Sequence, residues 1–441
     1  MKEISKKITG ETEITEAILS EIQKEIKNIS DFKNKIEESL KGRLTEVLEI
    51  ILGSAIHLNA SDIHFEPKEE NTKLRVRIDG LLQNVLFFDS KMYQSIISRV
   101  KLLSELKLNI TDRPQDGRFS ILMTDKESKK LLLIEIRTSI LPSEYGETIV
   151  LRILNPKSLI DLEALGLRKD LLELFNGEIK RPNGMIIITG PTGSGKTTTL
   201  YAFLKKIQSP EAKIITIEDP IEYHLKGISQ TQVNPSKGYG FANGLRSIMR
   251  QDPDVVLVGE VRDLETASIS LQAALTGHLV FTTLHTNDAA GIVTRLQALG
   301  EKAINIAPAI NMAIAQRLIR KVCKKCAKTR KISQQELEKL KKEFKNLLKT
   351  IEVPKSDKDT EIPEAAGCKE CNNTGYKGRA GIYEAFLIDD EMEKFVLTSP
   401  SIAALNEKAI EKGMVTMYQD GLIKVLQGMT TIEEVEKATG K

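Results

Sequence analysis

Residues 190–197, with the sequence GPTGSGKT, match the phosphate-binding loop pattern G-x-x-x-x-G-K-[ST] at every fixed position. Glycine lets successive backbone N–H groups turn toward phosphate oxygens, and the start of the following helix adds a favourable dipole. Lys196 would reach the β- and γ-phosphates, and the Thr197 hydroxyl would bind Mg²⁺. The motif predicts binding of a nucleoside triphosphate, whereas the alternative is a glycine-rich turn without a ligand. The predicted nucleotide-binding residues are Gly190, Pro191, Thr192, Gly193, Ser194, Gly195, Lys196, Thr197 and Thr198.

Acidic residues follow two predicted strands that come after this loop. The strand predicted over residues 214–217 is followed by Glu218, and the strand over residues 255–258 is followed closely by Glu260. Because the carboxyl ends of parallel strands meet at one edge of a sheet, we expect both carboxylates near the phosphates. Glu260 is the candidate for positioning Mg²⁺ and water, and Glu218 for assisting. Either glutamate could be the general base, and a solvated surface carboxylate is the alternative for both.

Two histidines, His278 and His285, frame the strand predicted over residues 279–283. Neither has a metal-ligand partner at a suitable spacing. A histidine beside a strand is more often structural, so these two residues alone do not indicate a function.

All four cysteines fall in two C-x-x-C pairs, Cys323 with Cys326 and Cys368 with Cys371. Each pair can supply two thiolates from a tight turn, so together they predict one tetrahedral zinc site. Four thiolates leave no open coordination position, and the predicted role is therefore structural. A redox pair or a chance pairing is the alternative, since residues 327–367 form a longer spacer than is common in zinc ribbons.

The elements that must position these residues follow from the apolar pattern. From residue 184 onward, short β-branched stretches alternate with helical ones, which is typical of a doubly wound, mainly parallel sheet. Beyond residue 311 we expect helices around the cysteine module and three more near residues 390–398, 401–412 and 417–427. The predicted fold class is therefore α/β, with a RecA-like P-loop domain whose C-terminal helical part carries the zinc module. Its strands are predicted over residues 185–189, 214–217, 255–258 and 279–283.

The chain before this domain shows the mixed pattern of a small α+β domain. Helices are predicted over residues 45–58 and 93–106, and a hairpin over residues 73–88 is predicted to turn at Asp79-Gly80. Further strands are predicted over residues 62–65, 117–123, 131–139 and 147–154.

The first part of the chain carries an apolar stripe. Isoleucine and leucine recur there at three- and four-residue intervals, which predicts one long amphipathic helix. The stripe either packs on its own domain or docks on a partner. We predict three regions: an N-terminal amphipathic helical segment over 1–41, the α+β domain over 42–157, and the P-loop domain over 158–441 with its zinc module at about 320–380. The stripe consists of Ile14, Ile18, Ile22, Ile26, Ile29, Ile36 and Leu40.

Composition excludes several function classes. With 64 Lys+Arg against 61 Asp+Glu and no tryptophan, the chain offers neither strong positive charge nor stacking platforms for nucleic acid. No apolar run approaches the ~18–20 residues of a membrane span, and residues 1–10 are polar without a signal-peptide core. We therefore expect a cytoplasmic protein with no direct nucleic-acid partner.

Further motifs make the chain similar to the secretion ATPase superfamily. Residues 218–222 (EDPIE), 252–263 (DPDVVLVGEVRD) and 276–289 (TGHLVFTTLHTNDA) resemble that family's Asp box, Walker B and His box. Upstream, the sequences ASDIHFEP, RVRIDG and QDGR resemble its second N-terminal domain. The two cysteine pairs favour the branch that drives type II secretion and type IV pilus assembly, because retraction ATPases typically lack them.

The resemblance implies a ring-shaped homohexamer that hydrolyses ATP with Mg²⁺ at a site between its main domains and adjoining subunits. It implies that Arg137 and Arg152 reach the phosphates, where a guanidinium neutralises developing charge, although an exposed arginine on a strand is the alternative. It further implies that His278 and His285 couple the site to the subunit interface.

The same resemblance implies a mechanical load and a location. Hydrolysis would change the angle between the two domains and drive a polytopic inner-membrane platform protein, which adds pilin-like subunits to a fibre. The protein would then be peripheral at the inner membrane. The alternatives are a retraction motor of the same fold, a nucleic-acid translocase, and a nucleotide-binding scaffold that does not hydrolyse ATP.

Overall fold

The computed structural model describes residues 10–124 and 131–441, which form two compact units. The first unit extends to Ser158 and includes the loop Gly367–Gly375, and the second comprises the remaining residues from Leu159 onward. Residues 1–9 lie outside the described part, and so does most of the polar N-terminus noted above. Within the described ranges, no helix combines the length and the apolar character that a membrane crossing needs.

A seven-stranded sheet packed against four helices forms the first unit. Its helices are α1 (Glu16–Glu25), α2 (Ile29–Ser39), α3 (Leu44–His57) and α4 (Ser90–Leu103). Its strands are β1 (Glu11–Glu13), β2 (Asp62–Pro67), β3 (Asn71–Ile78), β4 (Leu81–Asp89), β5 (Gln115–Thr124), β6 (Leu131–Ser143) and β7 (Gly146–Leu154). The strand order is β1-β5-β6-β7-β2-β3-β4, and every pair except β1 with β5 is antiparallel.

The predicted hairpin turn is confirmed. Asp79 and Gly80 connect β3 to β4 with φ angles of 50° and 84°, and Ile78 pairs with Leu81 across the turn. Two central residues with positive φ match the right-handed twist of the strands, which is why Asp-Gly is favoured here.

The N-terminal stripe forms two helices rather than the single long helix expected from its spacing. The side chain of Asn28 accepts a hydrogen bond from the backbone N–H of Asp31 at 3.0 Å and begins α2, so the prediction of one helix is wrong. Ile22, Ile26 and Ile36 are buried in the core of the first unit. The stripe therefore packs on its own unit.

The second unit is built on another seven-stranded sheet. Its strands are β8 (Gly184–Thr189), β9 (Ile214–Glu218), β10 (Ser229–Gln232), β11 (Val255–Val258), β12 (Leu279–Leu284), β13 (Ile310–Val322) and β16 (Tyr376–Leu387), and a separate two-stranded sheet contains β14 (Lys328–Lys331) and β15 (Glu361–Glu364). Its helices are α5 (Lys169–Glu178), α6 (Lys196–Ile207), α7 (Phe241–Met249), α8 (Leu264–Leu275), α9 (Gly291–Leu299), α10 (Ala303–Ile306), α11 (Gln334–Phe344), α12 (Asp390–Leu397), α13 (Ile402–Glu411), α14 (Met417–Leu426) and α15 (Ile432–Thr439).

This second sheet is mainly parallel, as predicted. The order is β10-β9-β11-β12-β8-β13-β16, and only the pairing of β13 with β16 is antiparallel. Every residue of β8, β9, β11 and β12 is buried, because separate hydrophobic clusters cover the two faces of the sheet. Burial on both faces explains why these strands are almost continuously apolar.

The structure differs from the sequence expectation beyond residue 311, where helices were predicted. The chain instead forms the long strand β13, which pairs with β8 on one side and with β16 on the other. An apolar run rich in Ala, Ile and Leu fits a buried helix as well as a buried strand, and long-range pairing decides between them. The expected helices near the C-terminus are present as α12, α13 and α14.

Candidate nucleotide-binding site

The glycine-rich loop connects the end of β8 to the start of α6, as the motif requires. Gly190 and Gly195 have φ angles of 148° and 90°, in the left-handed region that favours glycine. A Cβ on Gly190 would lie 2.4 Å from the carbonyl oxygen of Gln316, and one on Gly195 would lie 2.8 Å from Gln316 Nε2. The loop therefore lies against β13 so closely that neither position has room for a side chain.

Gln316 also anchors the helix that follows the loop. This side chain is 1% exposed, and its Oε1 accepts a hydrogen bond of 2.8 Å from Thr199 Oγ1 on α6. Both ends of the loop thus rest on one buried residue of β13. The sequence alone does not indicate Gln316, because its apolar surroundings predict a helix in this region.

The ammonium of Lys196 lies inside the curl of the loop. Its Nζ donates hydrogen bonds to the carbonyl oxygens of Gly190 at 2.7 Å and Pro191 at 3.2 Å. Burial lowers the pKa of Lys196, and the carboxylates of Glu260 and Glu222 oppose that effect. Lys196 is therefore held where the motif requires a cation.

The rest of the loop is open to a ligand. Pro191, Thr192 and Gly193 are exposed, while Thr197 and Thr198 are half-buried in the first turn of α6. The buried Oγ of Ser194 has no hydrogen-bond partner among the described residues. The exposed backbone and the unused hydroxyl fit a phosphate-binding loop.

Glu260 lies two residues beyond the end of β11 and is mostly buried. It forms an ion pair with Arg262, and its Oε2 lies 3.5 Å from Nε2 of His285. His285 follows β12 directly, and the loop that carries it is fastened to β8 because the Thr286 N–H donates to Thr189 Oγ1 at 2.6 Å. The structure therefore brings Glu260 and His285 together, at the same edge of the sheet as the phosphate loop.

Glu218 is the last residue of β9 and is only 4% exposed. Its carboxylate accepts hydrogen bonds from the Tyr201 hydroxyl, from Thr216 Oγ1 at 2.5 Å and from Gln230 Nε2 at 3.1 Å. Burial raises the pKa of Glu218, and these three donors partly oppose the increase. A buried carboxylate with a raised pKa at the end of a sheet strand is a candidate for proton transfer.

The structure does not bring His278 to the phosphate loop. His278 precedes β12, whereas His285 follows it, so the two histidines lie at opposite edges of a parallel sheet. The His278 ring lies 3.0 Å from the carbonyl oxygen of Ala273, and the His278 carbonyl accepts from the N–H of Gly184 at the start of β8.

Arg137 and Arg152 belong to the first unit. They lie directly opposite each other on β6 and β7. The Nε of Arg152 donates to Asp62 Oδ1 at 3.2 Å, and Asp62 also pairs with Arg77. The two predicted arginines thus share one face of this sheet.

The four cysteines form one cluster. The sulfur atoms of Cys323, Cys326, Cys368 and Cys371 all lie within 4.8 Å of one another, and none of the four is in a disulfide. The Sγ atoms of Cys368 and Cys371 are 3.8 Å apart, and the Cys368 N–H donates to Cys371 Sγ at 3.2 Å. Zinc–sulfur bonds of ~2.3 Å place tetrahedral thiolates about 3.8 Å apart, so this donor set fits zinc.

Comparison with known proteins now identifies the family. Residues 37–437 match the family model described as type II/IV secretion system protein. The chain belongs to this family. This family member is 42% identical to the type II secretion system ATPase E of Vibrio cholerae over 397 residues. The alignment covers 90% of this chain and 75% of that protein. It is 39% identical over 449 residues to the type IV pilus assembly ATPase PilB of Thermus thermophilus, over 98% of this chain and 48% of that protein.

A solved structure places the fold of this family member in the same group. The pilus retraction motor PilT, crystallised with ADP, superimposes with a TM-score of 0.57 at 27% identity, over 89% of this chain and 96% of that chain. The α/β fold class and the secretion ATPase resemblance predicted from the sequence are therefore confirmed.

Proposed function

We propose that this chain is a Mg²⁺-dependent ATPase that powers assembly of a type IV pilus or of a type II secretion pseudopilus. The observation that carries the proposal is the phosphate loop with Lys196 at the edge of a parallel sheet where Glu218 ends β9 and Glu260 follows β11. Nucleotide binding alone would need the loop, whereas hydrolysis needs a carboxylate for metal and water.

The roles of the residues follow from their chemistry. The loop from Gly190 to Thr198 would hold the phosphates through its backbone N–H groups, with Lys196 as the cation. Thr197 and Glu260 would hold Mg²⁺, which when bound would neutralise the phosphate charge. Glu218 would orient or activate the attacking water, and His285 would hold Glu260.

The two arginines are proposed to supply charge to the same reaction. Arg137 and Arg152 would reach the phosphates of ATP, and Asp62 would hold Arg152 until they do. The Cys₄ cluster would bind a structural zinc ion. His278 would take no direct part in catalysis, because it lies at the opposite edge of the sheet.

The proposed assembly and partners come from the family. The chain would form a homohexameric ring that acts at the inner membrane on a polytopic platform protein, which transfers pilin-like subunits. Relatives named for type II secretion and for pilus assembly both support this direction. A retraction motor is the second candidate, since PilT shares the fold, but the four clustered cysteines favour the assembly branch.

Substitution of the loop lysine tests the proposed activity. Lys196→Ala removes the charged partner of the phosphates, so we expect no measurable ATP turnover by the purified protein. Lys206→Ala is the matched control because it changes a lysine at the other end of the same helix, where Lys206 pairs with exposed Glu163. Equal activity of the two variants would reject the assignment.

Elemental analysis tests the zinc site. We expect about one zinc per chain in protein purified without chelators, and Cys371→Ser should remove it, since the four sulfurs are shared by a single ion. Chains without zinc would reject the site while leaving the ATPase proposal intact.

Cross-linking in the native cells followed by mass spectrometry would identify the platform protein, and recovery of DNA-processing proteins instead would reject the proposed load.

A further inference from the structure

We propose that Tyr201, Thr216 and Gln230 are positioning residues that hold the Glu218 carboxylate in one orientation and in its charged form during hydrolysis. This inference rests on the proposed ATPase function. None of the three belongs to a recognised sequence motif. Three different elements bring them to one carboxylate: Tyr201 from α6, Thr216 from β9 and Gln230 from β10.

Both oxygens of Glu218 are engaged. Oε2 accepts from the Tyr201 hydroxyl, while Oε1 accepts from Thr216 Oγ1 and Gln230 Nε2. A carboxylate with donors on both oxygens from separate elements cannot rotate without breaking at least one of these bonds. Because α6 starts at the phosphate loop, the bond from Tyr201 also fixes Glu218 relative to that loop.

The amide of Gln230 can only donate toward Glu218. Its Oε1 is used by the Leu225 N–H at 2.7 Å, and its Nε2 also donates to the carbonyl oxygen of Tyr223 at 3.0 Å. This arrangement fixes which end of the amide faces Glu218. Since an N–H group favours the carboxylate over the protonated acid, Gln230 selects the charged form.

Tyr201 acts in the same direction. Burial and the neighbouring Glu218 raise the pKa of Tyr201, so the phenol keeps its proton and remains a donor. The ring is buried and rests edge-on against Tyr223, with ring centroids 6.2 Å apart. Packing of the Tyr201 ring against Tyr223 therefore directs the hydroxyl toward Glu218.

Other charged groups near Glu218 set the balance. Burial raises the pKa of Glu218, the negative charge of Glu222 in the following loop adds to the increase, and the three donors lower it. On the neighbouring strand β11, the carboxylate that follows the strand belongs to Glu260, whose charge is paired with Arg262. The donors are thus the groups that keep a buried carboxylate able to accept a proton.

The pH dependence of turnover separates positioning from mere structural support. Removing one donor should raise the pKa of Glu218, so the acidic limb of the kcat profile should move to higher pH. For Tyr201→Phe and Thr216→Val we expect a shift of about one pH unit, equal to a tenfold loss of turnover on that limb, with little change at alkaline pH.

Two conservative variants serve as controls. Thr216→Ser keeps the hydroxyl and should restore the parent profile. Tyr239→Phe removes a tyrosine hydroxyl that bonds to Thr231 rather than to Glu218, so its profile should coincide with that of the parent. Because Thr216→Val changes volume little, it provides the measurement even where Tyr201→Phe reduces folding yield.

The outcomes distinguish this inference from the proposed function. A parent protein that does not hydrolyse ATP rejects the proposed function itself. An active parent whose acidic limb is unchanged in Tyr201→Phe and Thr216→Val, or absent in all variants, overturns the positioning role. A shift in Thr216→Ser as large as that in Thr216→Val overturns it as well, since the donor is retained there.

Discussion

The ends of β9 and β11 both present a glutamate to the same edge of the sheet, but they treat the charge differently. Glu218 at β9 is enclosed by neutral donors and buried, while Glu260 beyond β11 has cationic or protonatable neighbours, Arg262 and His285. Neutral donors around a buried carboxylate affect whether it holds a proton, whereas a cation beside a carboxylate balances its negative charge. We therefore propose proton transfer at Glu218 and metal positioning at Glu260.

Of the two glutamates, Glu260 is expected to show the larger effect on turnover. Glu260→Gln removes the charge for Mg²⁺ while keeping the shape of the side chain, so we expect turnover to fall by about 10²-fold or more at saturating Mg²⁺ and ATP. Steady-state phosphate release measures it, and Glu211→Gln, on an exposed carboxylate, is the control. Turnover within about twofold of the parent would remove Glu260 from the mechanism.

A smaller effect on turnover is expected for Glu218→Gln, about 10²-fold, together with a change in stability. Because burial raises the pKa of Glu218, the folded state holds this proton more tightly than the unfolded chain. That stabilisation is present at low pH and is lost as pH rises from the ordinary carboxyl pKa through the raised one. Glutamine cannot lose a proton, so the variant should be the more stable protein above this window.

Thermal unfolding at two pH values measures the stability change. At about pH 8 we expect Tm of Glu218→Gln to exceed that of the parent by about 2–4 °C, which corresponds to ~1 kcal/mol in a domain of this size, with no gain at about pH 4. Glu260→Gln is the matched comparison, because its partner Arg262 is largely exposed and little change is expected at either pH. The same gain in both variants would erase the distinction between the two strand ends.

The smallest effects concern the two histidines. His285→Ala should lower turnover several-fold because His285 lies 3.5 Å from Glu260, whereas His278→Ala should leave turnover unchanged. ATP hydrolysis by the two variants side by side is the measurement. A greater loss in His278→Ala than in His285→Ala would contradict the placement of the site at one edge only.

The nucleotide edge could be predicted largely because its signals are local. Each of these signals lies within a few neighbouring residues: the loop motif, and the β-branched runs of β8, β9, β11 and β12. The Asp-Gly turn of the first unit is a local signal of the same kind. The rule that carboxyl ends of parallel strands converge also separates His285 from His278, although spacing alone treats them alike. Asn28, with Asp31 three residues later, is a helix start that the sequence contains. The continuous apolar stripe nevertheless favoured the prediction of one long helix.

Other parts depend on contacts that no local pattern contains. β13 is a strand because it pairs with β8 on one side and with β16 on the other, and its apolar residues fit a helix equally well. Gln230 and Gln316 are ordinary polar residues in sequence. Their importance arises only when folding places one against Glu218 and the other beneath the phosphate loop.

The resting position of Lys196 has a thermodynamic consequence. Carbonyl oxygens of Gly190 and Pro191 already contact its ammonium, so part of the dehydration of this cation takes place when the chain folds. A triphosphate that enters the loop exchanges neutral oxygen atoms for charged ones and has less water to displace from the lysine. The loop is preorganised in the strict sense that the penalty of desolvation precedes the encounter with the nucleotide.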